Sequence, residues 1–530
     1  MKLTALDAAI FVVYILAVAV IGLLASRRGG KTKRDYFLAG DKLPWWMVGG
    51  SIVASNISSH QFVAMMGTAF SLGFITVVNE WGAIILGLNA LLWLFLPFYL
   101  RKGFYTMPEF LERRYGPAAR SAYGALILLV YVFVEISAVL YLGALALYSL
   151  MGIPMVTSIM VLAVLTAIYT ITGGLKAVVW TEMVQLGVLL LGGITLSIYT
   201  INAVGGWSAV AESSRTWNLL PPANDPNFPW TMLLGGGLCV SVFYWATNQF
   251  IVQRGLAARS EWDARAGVVM AQYLKFLLPL ITVVPGMLAP RLFHLEKADL
   301  VFPTLVQRLL PPGLVGLVMA GLIAAIMSHV SGALNSCSTI ACLDFYIPYI
   351  RKNATEQQAV RFGKMVGIVI AILGMFWATV LIKHSERPVF LYLMDAYGCF
   401  APGIAAMFLL GILWRRTTYA AALTMGALTV PLSVAIGFLI VPALPPGIRE
   451  YVASFWNRSG IVFWICILVG VIVSLLTKPK TDKELEGLVW TRESLHLPKE
   501  ERMGHSGLRN PAFWWLILTV IVVGFYVKYH

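Results

Sequence analysis

Ser51-Ile-Val-Ala-Ser-Asn-Ile-Ser-Ser-His-Gln-Phe62 places hydroxyl, amide and imidazole groups in the middle of a segment otherwise apolar enough to cross a bilayer. Lipid offers such groups no partner, so a run of this kind persists at membrane depth only where it faces protein, water, an ion or a solute. The conflict predicts a chain that moves something across a membrane, with a discontinuous helix at the point of contact.

The surrounding chain supports this. Of 530 residues, 59% are hydrophobic and only 12% charged, far more apolar content than a soluble core of this length requires. Fourteen apolar stretches reach or approach the length needed to span the hydrocarbon core, at 5–26, 45–70, 74–100, 120–151, 154–172, 177–203, 231–253, 267–290, 313–343, 361–382, 388–413, 417–439, 457–476 and 512–528. The expected class is an all-α membrane protein of about fourteen transmembrane helices.

A formal charge of +14 could signal a nucleic-acid partner, but its distribution excludes one. The excess sits in alternate loops. Arg27, Arg28, Lys31, Lys33, Arg34 and Lys42 crowd one, Arg101, Lys102, Arg113 and Arg114 another, and Lys478, Lys480, Lys483 and Arg492 begin a third. By the positive-inside rule these loops are cytoplasmic and both termini lie outside a plasma (inner) membrane. The first helix is too long to read as a removed leader and is expected to remain as a span. The five cysteines fall within spans without paired metal spacing and read as small packing residues.

Two stretches look discontinuous: 45–70, with its polar middle, and 231–253, where Gly235, Gly236 and Gly237 precede Ser241, Tyr244, Trp245, Thr247, Asn248 and Gln249. A pair of interrupted spans in corresponding halves is the pattern of an inverted-repeat secondary transporter, whose broken helices present free backbone groups to ion and solute. The resulting division is 1–42, a first extra helix and basic loop; 43–415, a transport core of two repeats, 43–203 and 230–415; 416–476, two further helices; 477–511, a cytoplasmic connector; and 512–530, a last helix.

Several strings go further. Asp35-Tyr-Phe-Leu-Ala-Gly40, Leu43-Pro-Trp-Trp46, Ala54-Ser-Asn-Ile-Ser58, Tyr105-Thr-Met-Pro-Glu-Phe110, Ala177-Val-Val-Trp-Thr181, Asn248-Gln249, Gln253-Arg254 and Phe408-Leu-Leu-Gly-Ile-Leu-Trp414 occur in order along the chain. Together they resemble the sodium:solute symporter family, in particular its sodium/sugar branch. The resemblance implies a leucine-transporter-type five-plus-five inverted repeat that imports a sugar or related small polar solute with sodium as the coupling ion.

Glu80 and Lys275 lie inside spans, where an unpaired charge is costly, so they need partners. They form either a structural ion pair or part of a solute site. By resemblance Gln61, Glu80 and Lys275 match sugar-binding positions, with Asn56, Ser241 and Met394 in the same set. Tyr244 matches the aromatic that closes over the sugar on the inner side, and Met65, Phe390 and Trp245 the gates. The match departs from the branch where Ser241 stands for an asparagine, Met394 for a glutamine, Ala83 for a serine and Asn79 for a tyrosine. Each lost amide or hydroxyl removes directed hydrogen bonds that discriminate polyols. Glu135 stands where the branch has an asparagine, and is open to solute binding, protonation or pairing with a neighbouring helix.

The cation site departs most. The resemblance assigns sodium to the carbonyls of Ala54, Ile57 and Ala325 and the hydroxyl of Ser328. His329, however, stands in the place of a second hydroxyl, and Glu182 in that of an aspartate. Imidazole is a poor sodium ligand and a good proton carrier, so coupling to protons, or to no cation, stands beside coupling to sodium. His329 turned aside onto a neighbour would leave sodium bound with one oxygen fewer. His60, beside Gln61, faces either solute or a packed helix.

An enzyme is disfavoured, because no spaced metal-ligand set, nucleophile elbow or phosphate loop appears. A membrane sensor built on the transporter fold would carry an output domain that the short connector does not supply. A channel fits poorly with charges suited to tight, occluding binding. Nothing in the sequence speaks to oligomeric state.

Overall fold

The structure, a computed structural model, describes residues 4–27, 32–213, 217–384 and 389–530; the side chains at 26–27, 382–384 and 389–395 lie outside that description. Among the described residues the chain is helical apart from turns and one isolated parallel bridge between Leu43 and Ala258. Eleven segments of the described residues are long and apolar enough to cross a membrane. That number differs from the fourteen expected, and the difference falls at three places. His60–Lys102 holds two of the expected spans in 43 residues, and Met155–Ala203 two more in 49. At about 1.5 Å per residue each is roughly twice the length of a straight crossing of a ~30 Å core. Both contain a glycine with non-helical geometry, Gly73 (φ 77°, ψ −151°) and Gly174 (φ 60°, ψ −160°). A side chain at Gly174 would also meet the Tyr36 carbonyl oxygen 2.4 Å away, so the bend is held by both φ and space. The third place is the stretch 231–253, which is divided into short pieces and contains only the short apolar helix Gly236–Thr247.

The two expected interruptions are the centre of the fold. Helix Trp45–Asn56 stops at Ile57, whose φ and ψ are −74° and 126°; the chain resumes helical form at His60–Met65. The segment Val242–Thr247 stops at Asn248, at −77° and 121°, and resumes as Gln249–Leu256. The two residues share nearly the same extended geometry, as repeats of one structural unit would. The bridge at Leu43 and Ala258 ties the lead-in to the first broken helix to the exit from the second, through Leu43 N–H donating to Ala257 O at 3.0 Å and Arg259 N–H to Leu43 O at 3.1 Å.

Close approach of small residues holds the bundle together, as expected where lipid removes the hydrophobic drive between helices. Helix Trp45–Asn56 lies against Glu261–Leu277 at Gly49 and Gly267, where a Cβ on Gly49 would come within 2.5 Å of the Gly267 carbonyl oxygen. Gly235, Gly236 and Gly460 bring the second broken helix equally close to Phe455–Leu476. At one end, basic side chains pack against the stretch 477–510. Lys480 Nζ donates to the Arg113 carbonyl, and Arg101 and Arg265 to carbonyls at Glu493 and Leu495. Arg27, Arg28 and Lys31 lie outside the described side chains.

Candidate functional site

The break at Ile57 frees the last carbonyls of helix Trp45–Asn56 from intrahelical pairing. The side chains around it complete the local bonding. Gln61 Oε1 accepts from the Ser58 N–H at 2.8 Å, and Ser58 Oγ accepts from the His60 N–H at 3.2 Å. At the second break, Tyr99 and Tyr123 hydroxyls donate to the carbonyls of Ala246 and Thr247 at 3.3 and 2.7 Å. The Tyr131 hydroxyl donates to Asn248 Oδ1 and accepts from the Phe250 N–H at 3.1 Å.

Between the breaks lies a cavity of about 110 Å³. Gln61, Glu80, Lys275, Tyr244, Asn56 and Ser241 all line it, as does Trp245. Glu80 and Lys275 are buried and form an ion pair. The Lys275 ammonium also donates to Asn56 Oδ1 at 2.6 Å and stands 5.1 Å over the Trp245 ring. Asn56 Nδ2 in turn donates to the Tyr244 hydroxyl at 3.2 Å. One carboxylate oxygen, Glu80 Oε1, accepts no hydrogen bond from the described residues and belongs to a side chain facing the cavity. The chemistry on offer is thus an ammonium and amide as donors, a carboxylate as acceptor, and indole and phenol rings as apolar walls. That combination suits a small solute with several hydroxyls.

Met65 is placed differently from Trp245, the other expected gate residue whose side chain is described. It is buried with its sulfur 3.9 Å from Thr282 Oγ1 and is absent from the cavity lining. The expected roles of Phe390 and Met394 fall on side chains outside the described residues.

The sequence-predicted cation residues divide into two groups. Ala54, Ile57, Ala325 and Ser328 are buried, and Ser328 Oγ has no hydrogen-bond partner among the described residues. A buried hydroxyl without a partner and the free carbonyls of a helix break are hard oxygens of the kind a sodium ion takes. His329 bonds to the backbone between Ala54 and Ile57 and reaches on to the cavity wall. Its Nδ1–H donates to the Ser55 carbonyl at 2.9 Å and its Nε2 is 3.0 Å from Glu135 Oε2, whose other oxygen accepts from the Tyr397 hydroxyl at 2.6 Å. Glu182 is ion-paired with buried Arg254 at 2.7 Å and accepts from Ser51 and Ser55 hydroxyls, so its oxygens are taken up in joining the two broken helices. Glu182, expected in the cation site, is thus found bonded to Arg254, Ser51 and Ser55.

Sequence reasoning missed Tyr397, which reaches the cavity from helix Val389–Leu413, Trp456, which lines it from helix Phe455–Leu476, and Met232, which lines it from the start of the second discontinuous stretch. Nothing in their local sequence marks them. His60 lines the cavity beside Gln61.

A bundle with two matched helix breaks and a polar cavity between them defines a secondary transporter. Residues 36–429 match the model of the sodium:solute symporter family, and the chain belongs to that family. It is a multi-pass membrane transporter of the sodium-coupled symport class and not an enzyme. The chain is similar to a sodium/glucose cotransporter of Vibrio parahaemolyticus, 35% identical over 474 residues, covering 82% of this chain and 86% of the relative. A human sodium/myo-inositol cotransporter is 32% identical over 558 residues, covering 93% of this chain and 77% of the relative. Among solved structures, a substrate-bound, outward-open sodium-coupled sialic acid symporter shares the fold with a TM-score of 0.75 at 23% identity, over 90% of this chain and 99% of that one. Mhp1, a nucleobase-cation-symport-1 family transporter, shares it with a TM-score of 0.54 at 16% identity, over 85% and 97%.

Proposed function

We propose that this protein imports a neutral, polyhydroxylated solute, a sugar or close relative, together with sodium by alternating access across a plasma membrane. The observation that carries the solute reading is the buried Glu80 and Lys275 pair on the cavity wall, bonded through Asn56 to Tyr244. The two charges balance, so this pair presents strong donors and an acceptor without adding a net charge that would call for an ionic solute. Glucose and myo-inositol cotransporters among the relatives support the same class. Ser241, Asn79 and Ala83 line the cavity at the departures from the branch and set its choice among polyols.

Sodium would sit on the carbonyls of Ala54, Ile57 and Ala325 and the Ser328 hydroxyl, joining the first broken helix to helix Leu314–Ile340. Proton coupling is the second reading, favoured by the imidazole of His329 in contact with both the break and Glu135. Uptake of radiolabelled glucose, galactose and myo-inositol into proteoliposomes separates these readings. Concentrative uptake under an inward sodium gradient, unaffected by an imposed pH gradient, is the expected result. Accumulation driven by a proton gradient without sodium would replace the sodium reading. Equilibration without accumulation of any of the three would remove the proposal.

A further inference from the structure

Three hydrogen bonds connect the cation region to the solute cavity. The Ser55 carbonyl, between Ala54 and the break at Ile57, accepts from His329 Nδ1 at 2.9 Å. His329 Nε2 meets Glu135 Oε2 at 3.0 Å, and Glu135 Oε1 accepts from the Tyr397 hydroxyl at 2.6 Å. His329, Glu135 and Tyr397 all line the same cavity as Glu80 and Lys275. Four separate elements are therefore joined: the first broken helix, helix Leu314–Ile340, the segment Tyr131–Ile136 and helix Val389–Leu413.

The imidazole is held from both sides. A carbonyl oxygen can only accept, so Nδ1 is the donor, and a hydrogen lies between Nε2 and the carboxyl group. The Phe250 ring, edge-on to the imidazole at 5.2 Å, covers a third side. A side chain fixed in this way cannot move without disturbing either the backbone at Ser55 or the cavity wall at Glu135 and Tyr397. Buried chains of this kind act as units, because a broken link leaves a polar group without a partner.

We propose that His329, Glu135 and Tyr397 form the link through which cation occupancy of the break sets the affinity of the cavity for solute, with Glu135 and Tyr397 as positioning residues that hold His329 on the Ser55 carbonyl. An ion on the carbonyls of Ala54 and Ile57 fixes the backbone at Ser55. The fixed Ser55 carbonyl orients His329, and His329 orients Glu135 and Tyr397 toward the solute. Solute bound in the cavity stiffens the same chain from the other end, so the effect is reciprocal. This inference rests on the sodium reading of the proposed function.

The test is a thermodynamic cycle on purified protein in detergent, with glucose or whichever of the three sugars the uptake assay selects. Solute dissociation constants are measured by calorimetry at zero and saturating sodium, and their ratio is the coupling factor. A ratio of about 5 to 150 is typical of such linkage. Glu135→Ala is expected to bring the ratio close to 1. Glu135→Gln, which keeps a hydrogen-bonding group opposite Nε2, should retain most of it, and Tyr397→Phe should fall between. Loss of a direct solute contact or a general loosening would shift both constants together and leave the ratio intact. A wild-type ratio retained by folded Glu135→Ala and Tyr397→Phe proteins overturns the link. If the wild type itself shows a ratio of 1 while binding solute, the sodium reading fails instead, and the two failures are thereby distinguished.

Discussion

Glu80 and Lys275 form a buried ion pair on the cavity wall. Both are buried, so removing one leaves the other without its counter-charge, at a typical cost of about 3 to 5 kcal/mol. Replacing both, as in Glu80→Gln with Lys275→Met, removes the charges together and costs much less. The double variant is therefore expected to melt closer to wild type than either Glu80→Ala or Lys275→Ala, and yet to show no solute uptake. Uptake by the double variant near the wild-type rate would make the pair purely structural. These two residues were legible in the sequence because a charge in an apolar run is itself a signal. The position of His329 on Ser55 and Glu135 was not, since its partners lie 274 and 194 residues away and nothing local selects between them. The pairing of Glu182 with Arg254 was illegible for a related reason: only the fold brings the two within 2.7 Å.

At the scale of elements, the two breaks depend on different supports. The first is held by its own Ser58 and Gln61, the second by tyrosines from neighbouring helices. Asn248 caps helix Gln249–Leu256, accepting from the Phe250 N–H at 3.3 Å, and shares the Tyr131 hydroxyl. Loss of the cap costs about 1 kcal/mol, and leaving Tyr131 without its acceptor adds about 1 to 3 kcal/mol. Asn248→Ala is expected to destabilise the protein by about 2 to 4 kcal/mol on these terms. Because both residues act on one network, the double variant with Tyr131→Phe should be less unstable than the sum of the singles, by about 0.5 to 3 kcal/mol. Strict additivity in denaturation measurements would separate the two roles. The polar run at 51–62 located the first break in sequence because its groups have no other use there. The bends at Gly73 and Gly174 were harder to read, since an isolated glycine in an apolar run is equally a packing site. Only positive φ, and at Gly174 the nearby Tyr36 carbonyl, identifies them.

For the whole molecule, the basic loops predict an orientation and the packing extends it to both chain ends. The stretch 477–510 is tied by Lys480 and Asp482 to Arg113 and Arg415, at the basic end of the bundle. The loop carrying Pro222 belongs to the other end, since the Leu219 N–H donates to the Tyr529 carbonyl at 2.6 Å beside the last helix. Tyr529 therefore shares a side with Pro222. The first helix begins at the same end as the start of helix Leu314–Ile340, where Asp7 accepts from the N–H groups of Gly313 and Gly316 at 2.7 and 2.8 Å. If the basic end is cytoplasmic, as the positive-inside rule requires, the fourteen crossings expected from the sequence would place both termini outside. Cysteine substitution at Glu484 and Pro222, both exposed, tests this with a membrane-impermeant maleimide. Four of the five native cysteines are buried, so replacing half-buried Cys399 by serine gives a quiet background. Glu484→Cys is expected to react only after the membrane is opened, and Pro222→Cys in intact cells. The reverse pattern would invert the molecule, and labelling of both sites in intact cells would mean that an odd number of the assigned crossings between 222 and 484 is wrong.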